Sequence, residues 1–450
     1  MPKKPRVILV QLLILFAGVL ILIGSSCQPK QQQPITLRVW QTEVDPKAVA
    51  VLKEIGAEFE RSHPGVQVEL ESVSWGALSA KLTTALAAGS SPDIAHLEPF
   101  MVSSMQSKNL LEPIDDVIAA LPGDIFPAVK DLQMFNGRHY GIAYGMGITY
   151  YAYRKDVADR KGLKVPHTWD EYASFIKSMG SDPGTNANLL LPGGDPFFID
   201  QLTVELLSSN GGRLFDQNNR PLFTDPHFIE VLRFYKTLAQ SAPPDWLNEK
   251  YIDQFRHFAT GRGLNVPVTY ARAANQIDAD AAKGINDPDH FAVMPQPVGP
   301  SGTTSYATLD AEPWVIFQSS PNKDLAKEYL KLFYRRDLYL RFCLTVPMHL
   351  TPIFQSLAES PEYLNNSMIT KWQPWQNQEM QFIKDKRIRP IFISEDADLQ
   401  RPFLLEFQGS RILSDLIFAV AKEGQDPEVA AKAAQTKGEA LIERLGYRRW

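Results

Sequence analysis

Several tryptophans of this chain stand close to carboxylates in the sequence. Glu43 follows Trp40 by three residues, and Glu312 and Trp314 flank Pro313. Aromatic faces pack against the apolar faces of a pyranose ring, and carboxylates pair with its hydroxyls, because a buried donor without a partner costs about 1–3 kcal/mol. These pairs predict a binding site for a sugar or another polyol.

Six further residues are candidates for the same site, because each falls near a predicted strand end or in a turn. They are Trp75, Glu98, Tyr144, Asp195, Tyr270 and Arg272, with Met348 and His349 as weaker candidates. For every one the alternative is ordinary structure, either a ring that covers the core or a charged group in water. Trp40 and Trp314 are expected to be ligand platforms whose truncation weakens binding with little loss of stability. Trp169 is expected to be structural, because Thr168 and Glu171 around it fit a capping box.

The same residue types also occur in glycoside hydrolases, which use a pair of carboxylates. Two of Glu43, Glu98, Asp195 and Glu312 would supply that pair, so a secreted carbohydrate-active enzyme is the alternative function. The sequence contains no Gly-x-x-x-x-Gly-Lys loop, no His-Glu-x-x-His and no Cys-x-x-Cys. We therefore expect no ATPase activity, no metal site and no cofactor.

Charge and cysteine usage limit the partners. The formal net charge is −5 and no run of basic residues occurs, which argues against nucleic-acid binding. The two cysteines are Cys27 and Cys343. Cys343 lies in an apolar segment and is expected to be a buried thiol without a disulfide partner.

The first residues have the layout of a secretory signal. Lys3, Lys4 and Arg6 precede the apolar run Val7–Ile23, and small residues then lead to Cys27. The alternative is a permanent transmembrane anchor, since about 20 apolar residues suffice to span a bilayer.

The segment ending at Cys27 resembles the lipobox of bacterial lipoproteins, although Gly24 stands where that motif prefers leucine. The resemblance implies that residues 1–26 are a signal peptide, that Cys27 carries the lipid anchor, and that residues 27–34 form a flexible spacer.

The positions of these candidates depend on an α/β framework. Strand patterns at 35–40, 66–73 and 91–95 alternate with helix patterns at 46–61 and 78–88. This order predicts a parallel sheet with right-handed crossovers, which binds ligands beyond the carboxyl ends of its strands. Residues 264–268 predict a further short strand. Later helices are predicted at 198–209, 225–240, 323–333, 363–375 and 427–445.

Six segments, in their order along the chain, resemble the extracellular solute-binding proteins of ABC importers, and specifically the sugar-binding group that includes maltodextrin-binding protein. They are residues 37–40, 59–68, 86–94, 137–144, 150–156 and 162–171, the last of which reads GLKVPHTWDE. The group usually has Gly-Gly before the tryptophan of the segment that here reads Asp310-Ala311-Glu312-Pro313-Trp314.

The resemblance implies a two-lobed periplasmic-binding-protein fold of type II. The N-terminal lobe would comprise 35–145 and 300–348, and the C-terminal lobe 146–299 and 349–450. Hinge crossings are placed near 144–150, 299–307 and 346–351.

The implied function is passive capture of a carbohydrate or polyol by lobe closure, without catalysis. The implied partners are an ABC permease with a separate ATPase subunit. The chain would be a lipid-anchored monomer on the periplasmic or cell-surface side of the membrane.

Overall fold

The computed structural model describes residues 34–180, 187–390 and 401–450. The predicted signal peptide and Cys27 lie outside the described residues. Within those ranges, no helix combines the length and the apolarity that crossing a bilayer requires.

The strands are short and the helices are distributed along the whole described chain. The strands are β1 Ile35–Gln41, β2 Val66–Ser72, β3 Ile94–His96, β4 Met134–Phe135, β5 Arg138–His139, β6 Ile142–Ala143, β7 Gly147–Ile148, β8 Tyr150–Arg154, β9 Asn265–Thr269, β10 Phe291–Met294, β11 Ala307–Asp310, β12 Pro313–Ile316 and β13 Ile388–Pro390. The first helices are α1 Pro46–Ser62, α2 Trp75–Ala87, α3 Pro99–Gln106, α4 Asp115–Ala119, α5 Pro127–Lys130, α6 Lys155–Arg160, α7 Trp169–Met179, α8 Pro196–Ser209, α9 Pro226–Ala239, α10 Tyr251–Ala259 and α11 Arg272–Ala281. The later helices are α12 Lys323–Phe333, α13 Arg336–Cys343, α14 Gln355–Ala358, α15 Pro361–Leu364, α16 Ser367–Lys371, α17 Gln373–Lys384, α18 Leu404–Gly409, α19 Ile412–Ala421 and α20 Pro427–Arg444, with 3-10 turns at Trp246–Asn248 and Pro288–His290.

Three sheets, apart from the β4–β5 hairpin, organise the residues that the structure describes. The first has the order β2-β1-β3-β12-β6, the second β10-β8-β9, and the third β13-β11-β7. β1 pairs in parallel with β2 and with β3, as the alternating pattern predicts. β12 runs antiparallel to both β3 and β6. The strand predicted at 264–268 is also present, as β9.

In two short segments, consecutive strands belong to different sheets. β6, β7 and β8 follow one another within residues 142–154, and each belongs to a different sheet. β11 and β12 are likewise neighbours in sequence and lie in different sheets. Backbone hydrogen bonds in both directions also join Met146 to Thr351. At Gly147 a Cβ would lie 3.1 Å from the carbonyl oxygen of His349, so glycine permits this close approach of two backbones.

Strand alternation divides the core into two clusters of buried side chains on opposite faces of the first sheet. Trp40, Ala95 and Val315 belong to one cluster. Val39 and Trp314 belong to the other. Because successive side chains of a strand point to opposite faces, helices must cover both sides of this sheet.

The structure confirms several predictions that depend on neighbouring residues. In α7 the capping box forms, since Thr168 accepts from the backbone of Glu171 and the Glu171 side chain accepts in return. Trp169 stacks on Phe234 with ring centroids 4.5 Å apart, which confirms its structural role. Cys343 is a buried free thiol, also as predicted.

The single helix predicted at 363–375 is wrong. The chain forms three short helices there, α15, α16 and the start of α17. The helix is interrupted at Asn366, whose backbone is extended. The Asn366 side chain accepts a hydrogen bond from the Met368 N–H and so caps the start of α16. Pro374 then enters the first turn of α17, where its missing N–H does no harm.

Candidate functional site

Four strand ends meet at one edge of the first sheet. β1 and β3 are parallel and end there, β12 begins there, and β6 ends there because it is antiparallel to β12. Four of the predicted site residues follow or precede these ends: Glu43 after β1, Glu98 after β3, Tyr144 after β6 and Glu312 before β12. All four are buried. The topology thus brings them to the same edge of the sheet.

Arg272 approaches this edge from the opposite side. It is the first residue of α11, which follows β9 of the second sheet. Its Nη2 donates a hydrogen bond to Glu43 Oε1, and the Tyr144 hydroxyl donates to the same oxygen at 2.8 Å. One carboxylate oxygen of Glu43 therefore accepts from Tyr144, which follows a strand of the first sheet, and from Arg272, which follows a strand of the second.

Tyr270 lies beside Arg272 in sequence and faces the same region. Its hydroxyl accepts a hydrogen bond from Gln201 Nε2 at 2.6 Å. Its ring lies 5.5 Å from the ring of His349 and 6.0 Å from that of Tyr251. Tyr251 in turn stacks on Phe198 at 3.6 Å. An aromatic wall therefore stands on this side of the site.

Glu43, Glu98, Asp310 and Glu312 form what we call the carboxyl cluster. Asp310 and Glu312 lie close enough that each carboxyl group changes the pKa of the other, and two carboxylates share a hydrogen bond only when one holds a proton. Burial raises the pKa of Glu312 well above its ordinary value, and the charge of Asp310 raises it further. Burial and Asp310 do the same to the pKa of Glu98. Burial raises the pKa of Asp310 to about 6.

Two histidines border the cluster without adding positive charge. His96 Nε2 lies 3.7 Å from Glu312 Oε2, and His349 Nδ1 lies 3.7 Å from Asp310 Oδ2. Burial lowers the pKa of His96 to about 3 and that of His349 well below its ordinary value. Both imidazoles are therefore neutral at physiological pH.

Only one of the two ring nitrogens of His96 has a hydrogen-bond partner. Its Nδ1 is hydrogen-bonded to Thr42 Oγ1, but its Nε2 has no hydrogen-bond partner. Glu43 Oε2, Trp314 Nε1 and His349 Nδ1 are also buried without a partner. Buried polar atoms are normally hydrogen-bonded, so these atoms mark a place where ligand groups or water complete the bonding.

The aromatic residues at this edge are close together. The His96 ring lies 5.4 Å from Trp75, 3.9 Å from Tyr144 and 5.3 Å from Trp314. Trp75 is half-buried, whereas Trp314 is 1% exposed and packs on Phe333. Trp75 therefore offers the more accessible ring beside the cluster.

Two predicted residues have contacts that lead away from the cluster. Trp40 is 3% exposed, lies on the opposite face of the sheet from Trp314, and has Lys81 Nζ 4.2 Å above its ring. Asp195 precedes α8, and its Oδ2 accepts the Tyr251 N–H at 2.7 Å. The contacts of both are structural, and a ligand role for either stays a prediction.

Residues of the site that were not among the predicted ones include Asp310, Tyr251 and Gln201. Asp310 had a weak signal, because it stands two residues before Glu312 in the sequence. Tyr251 and Gln201 lie on helices and had no such signal. A separate cavity of about 400 Å³ is lined by residues including His167, Gln296, Ser305 and Arg387, and none of the predicted site residues lines it.

The fold and site agree with a known protein family. The model of the bacterial extracellular solute-binding proteins matches residues 45–337, which is more than half of the 450 residues. The chain belongs to this family.

The comparisons with individual proteins agree with that assignment. A Brucella abortus protein named only as a binding protein is 23% identical, over 96% of this chain and 98% of the relative. The mannitol-binding protein of Pseudomonas aeruginosa is 24% identical, over 62% of this chain and 64% of the relative. The maltose-bound MalE3 of T. maritima superposes with a TM-score of 0.75 at 20% identity, covering 90% of this chain and 100% of that one.

Two conclusions follow for this chain. Its fold is the two-lobed α/β fold of type II periplasmic binding proteins. It is a substrate-binding protein and not an enzyme, so the alternative of a carbohydrate-active hydrolase is not supported.

Proposed function

We propose that this protein is the substrate-binding component of an ABC importer that captures a carbohydrate or polyol by lobe closure. The observation that carries the proposal is the buried bond between Glu43 and Arg272, because it joins groups from two sheets. Closure of two lobes around a ligand is the hinge motion by which such proteins bind. The ligand would take up the free bonding capacity of the carboxyl cluster.

The proposed ligands are mono- or oligosaccharides, glycosides and polyols. Carboxylates and the Arg272 guanidinium suit hydroxyl groups, and the rings of Trp75, Tyr144 and Tyr270 suit the apolar faces of a sugar. The names of the similar proteins, one mannitol-binding and one bound to maltose, support the same class. We assign ligand contact to all ten predicted residues, with Trp40 and Asp195 supported least.

The arrangement in the cell is part of the proposal. The lobes are 35–145 with 300–348 and 146–299 with 349–450, and the sheet changes near residues 142–154 and 307–316 support this division. Cys27 would carry a lipid that holds a monomer on the periplasmic or cell-surface side of the membrane. A permease with a separate ATPase subunit would receive the ligand.

Titration calorimetry with the purified full-length chain tests the proposal. The protein is kept in a detergent without a sugar headgroup, and the panel contains monosaccharides, disaccharides, glycosides and polyols. We expect saturable binding of at least one member, which chromatography then recovers intact. Turnover of a glycoside, or no binding by any member, would overturn the proposal.

A matched pair of variants localises the binding. Glu43→Gln removes the charge that Arg272 and Tyr144 share, and we expect it to weaken binding about tenfold or more. Glu54→Gln removes an exposed carboxylate that pairs with Arg341 on the surface, and it should leave affinity unchanged. Equal affinities of the two variants would place the site elsewhere.

A further inference from the structure

The carboxyl cluster holds more carboxyl groups than the neighbouring positive charge could compensate if all of them were ionised. Arg272 is bonded to Glu43. Asp310 and Glu312 have ion-pair contacts only with the histidines His349 and His96, and no described ion pair involves Glu98. One guanidinium therefore faces four buried carboxyl groups.

The proximity of the Asp310 and Glu312 carboxyl groups requires a neutralising positive charge. Two adjacent carboxyl groups stay together when a proton lies between them or when a cation neutralises them. The neighbouring histidines do not supply that charge, because their deep burial keeps the imidazoles neutral. Burying uncompensated carboxylates is strongly unfavourable, so a cationic group in the closed site would be bound firmly.

A metal ion does not fit this role. Within the described ranges, no three His, Cys, Asp or Glu side chains are arranged to hold one. Metal ligands must converge within about 2.0–2.6 Å of one point. An organic cation has looser requirements, because each N–H of an ammonium group can donate to a different oxygen.

The surrounding rings also suit an organic cation. Trp75, Tyr144 and Trp314 gather around His96 within 5.4 Å between ring centroids. Tyr270 and Tyr251 face the cluster from the other side. Electron-rich faces attract ammonium groups, and the attraction grows when water is excluded.

Resting on the proposed function, we infer that the ligand carries a protonated amine in addition to hydroxyl groups, as amino sugars, amino polyols and aminocyclitols do. Its ammonium group would lie between Glu98, Asp310 and Glu312. Its hydroxyls would meet Arg272, Glu43 and the unpaired Nε2 of His96. The buried Oε2 of Glu43 and Nε2 of His96, which have no hydrogen-bond partner, are the second, independent sign of a ligand.

Matched ligand pairs test the inference on the full-length chain at pH 7. Glucosamine is compared with glucose and with N-acetylglucosamine, and 1-amino-1-deoxyglucitol is compared with glucitol. Calorimetry should give the amine at least about tenfold tighter binding in one of the pairs, because charge-assisted hydrogen bonds are about twice as strong as neutral ones. N-acetylation should remove this advantage, since it abolishes the charge and keeps the nitrogen.

A variant pair shows whether the charge acts through the cluster. Glu312→Gln should reduce the preference for the amine over its neutral partner at least about threefold. Glu98→Gln serves as a second variant if the first folds poorly. Asp280→Asn is the control, because Asp280 is a buried carboxylate at the far end of α11, where it pairs with Lys283.

The outcomes separate the inference from the proposed function. A neutral sugar or polyol that binds as tightly as its amine, or more tightly, overturns the inference and leaves the proposed function standing. A preference that Glu312→Gln and Glu98→Gln both leave unchanged also overturns it. Failure of every ligand in the panel overturns both.

Discussion

Arg272 Nη2 donates to Glu43 Oε1 although the two residues are separated by 229 positions in the chain. Their side chains are 15% and 3% exposed, so the ion pair is largely shielded from water. Glu43 follows a strand of the first sheet and Arg272 follows a strand of the second. The pair therefore acts as a direct bond between the two halves of the site.

Replacing Arg272 should favour a conformation in which the two halves of the site are separated. Arg272→Gln leaves Glu43 buried with one hydrogen bond fewer, and breaking a buried pair costs about 3–5 kcal/mol. Part of that cost is relieved if the halves separate and water reaches Glu43. We expect small-angle X-ray scattering of the ligand-free variant to give a larger radius of gyration than the parent.

The control is Arg256→Gln, which removes an exposed arginine that pairs with Asp253 on α10. Exposed pairs contribute about 0–1 kcal/mol, so its radius should match that of the parent. An unchanged radius for Arg272→Gln would contradict the bonding role.

The buried tryptophans should matter for stability. The sequence predicts that Trp314→Ala and Trp40→Ala leave stability nearly unchanged, but the rings are 1% and 3% exposed. Truncating a buried tryptophan typically costs about 3–5 kcal/mol. Urea denaturation should show this loss for Trp314→Ala.

Trp75→Ala is the informative comparison, because the ring is half-buried and lies beside His96. It should lower stability by about 1–2 kcal/mol, less than Trp314→Ala, while weakening ligand binding. Equal losses of stability for the two variants would contradict the difference in packing.

Stability should fall as the pH rises. Burial raises the pKa of Glu379 to about 8 from an ordinary value of 4.5. The folded chain then holds a proton that the unfolded chain has released. The stabilisation is complete below about pH 4.5 and is lost as the pH passes through about 8. We expect a loss on the order of 3 kcal/mol from Glu379 alone between about pH 5 and pH 9.

Chemical denaturation across that pH range measures the effect. Glu379→Gln keeps the shape and removes the titration, so its stability should fall less steeply. Glu359→Gln removes an exposed glutamate near Lys384 and should behave like the parent. Equal slopes for the parent and Glu379→Gln would rule out Glu379 as the source.

Thiol titration tests both cysteines at once. Burial raises the pKa of the Cys343 thiol, so it should not react with Ellman's reagent in the folded chain. In guanidinium one thiol per chain is expected if Cys27 carries the lipid. Two thiols would contradict lipidation, and a thiol that reacts in the folded chain would contradict the burial of Cys343.

The sequence predicted those parts of the fold that depend on local signals. The cap of α7 and the alternation of β1, α1 and β2 require only neighbouring residues. The break at Asn366 was missed because the apolar spacing continues across it. For the site, the strand-end rule located Glu43, Glu98, Tyr144 and Glu312.

The remaining site residues depend on long-range geometry. Trp40 and Trp314 are both tryptophans near strand ends, and only the register of β12 against β3 shows that they lie on opposite faces. No spacing rule connects Glu43 with Arg272. Tyr251 and Gln201 enter the site through the packing of helices, which side-chain periodicity alone does not determine.

The direction of β1 has a consequence for the attached chain. Ile35 begins this strand and Glu43 follows its other end. The predicted spacer therefore joins the sheet at the edge opposite the ligand groups, about 20 Å away from them. The predicted spacer, residues 27–34, would span at most about 25 Å when fully extended. A lipid on Cys27 would therefore tether the edge of the sheet opposite the ligand groups, and the cleft between the lobes would remain accessible to a permease.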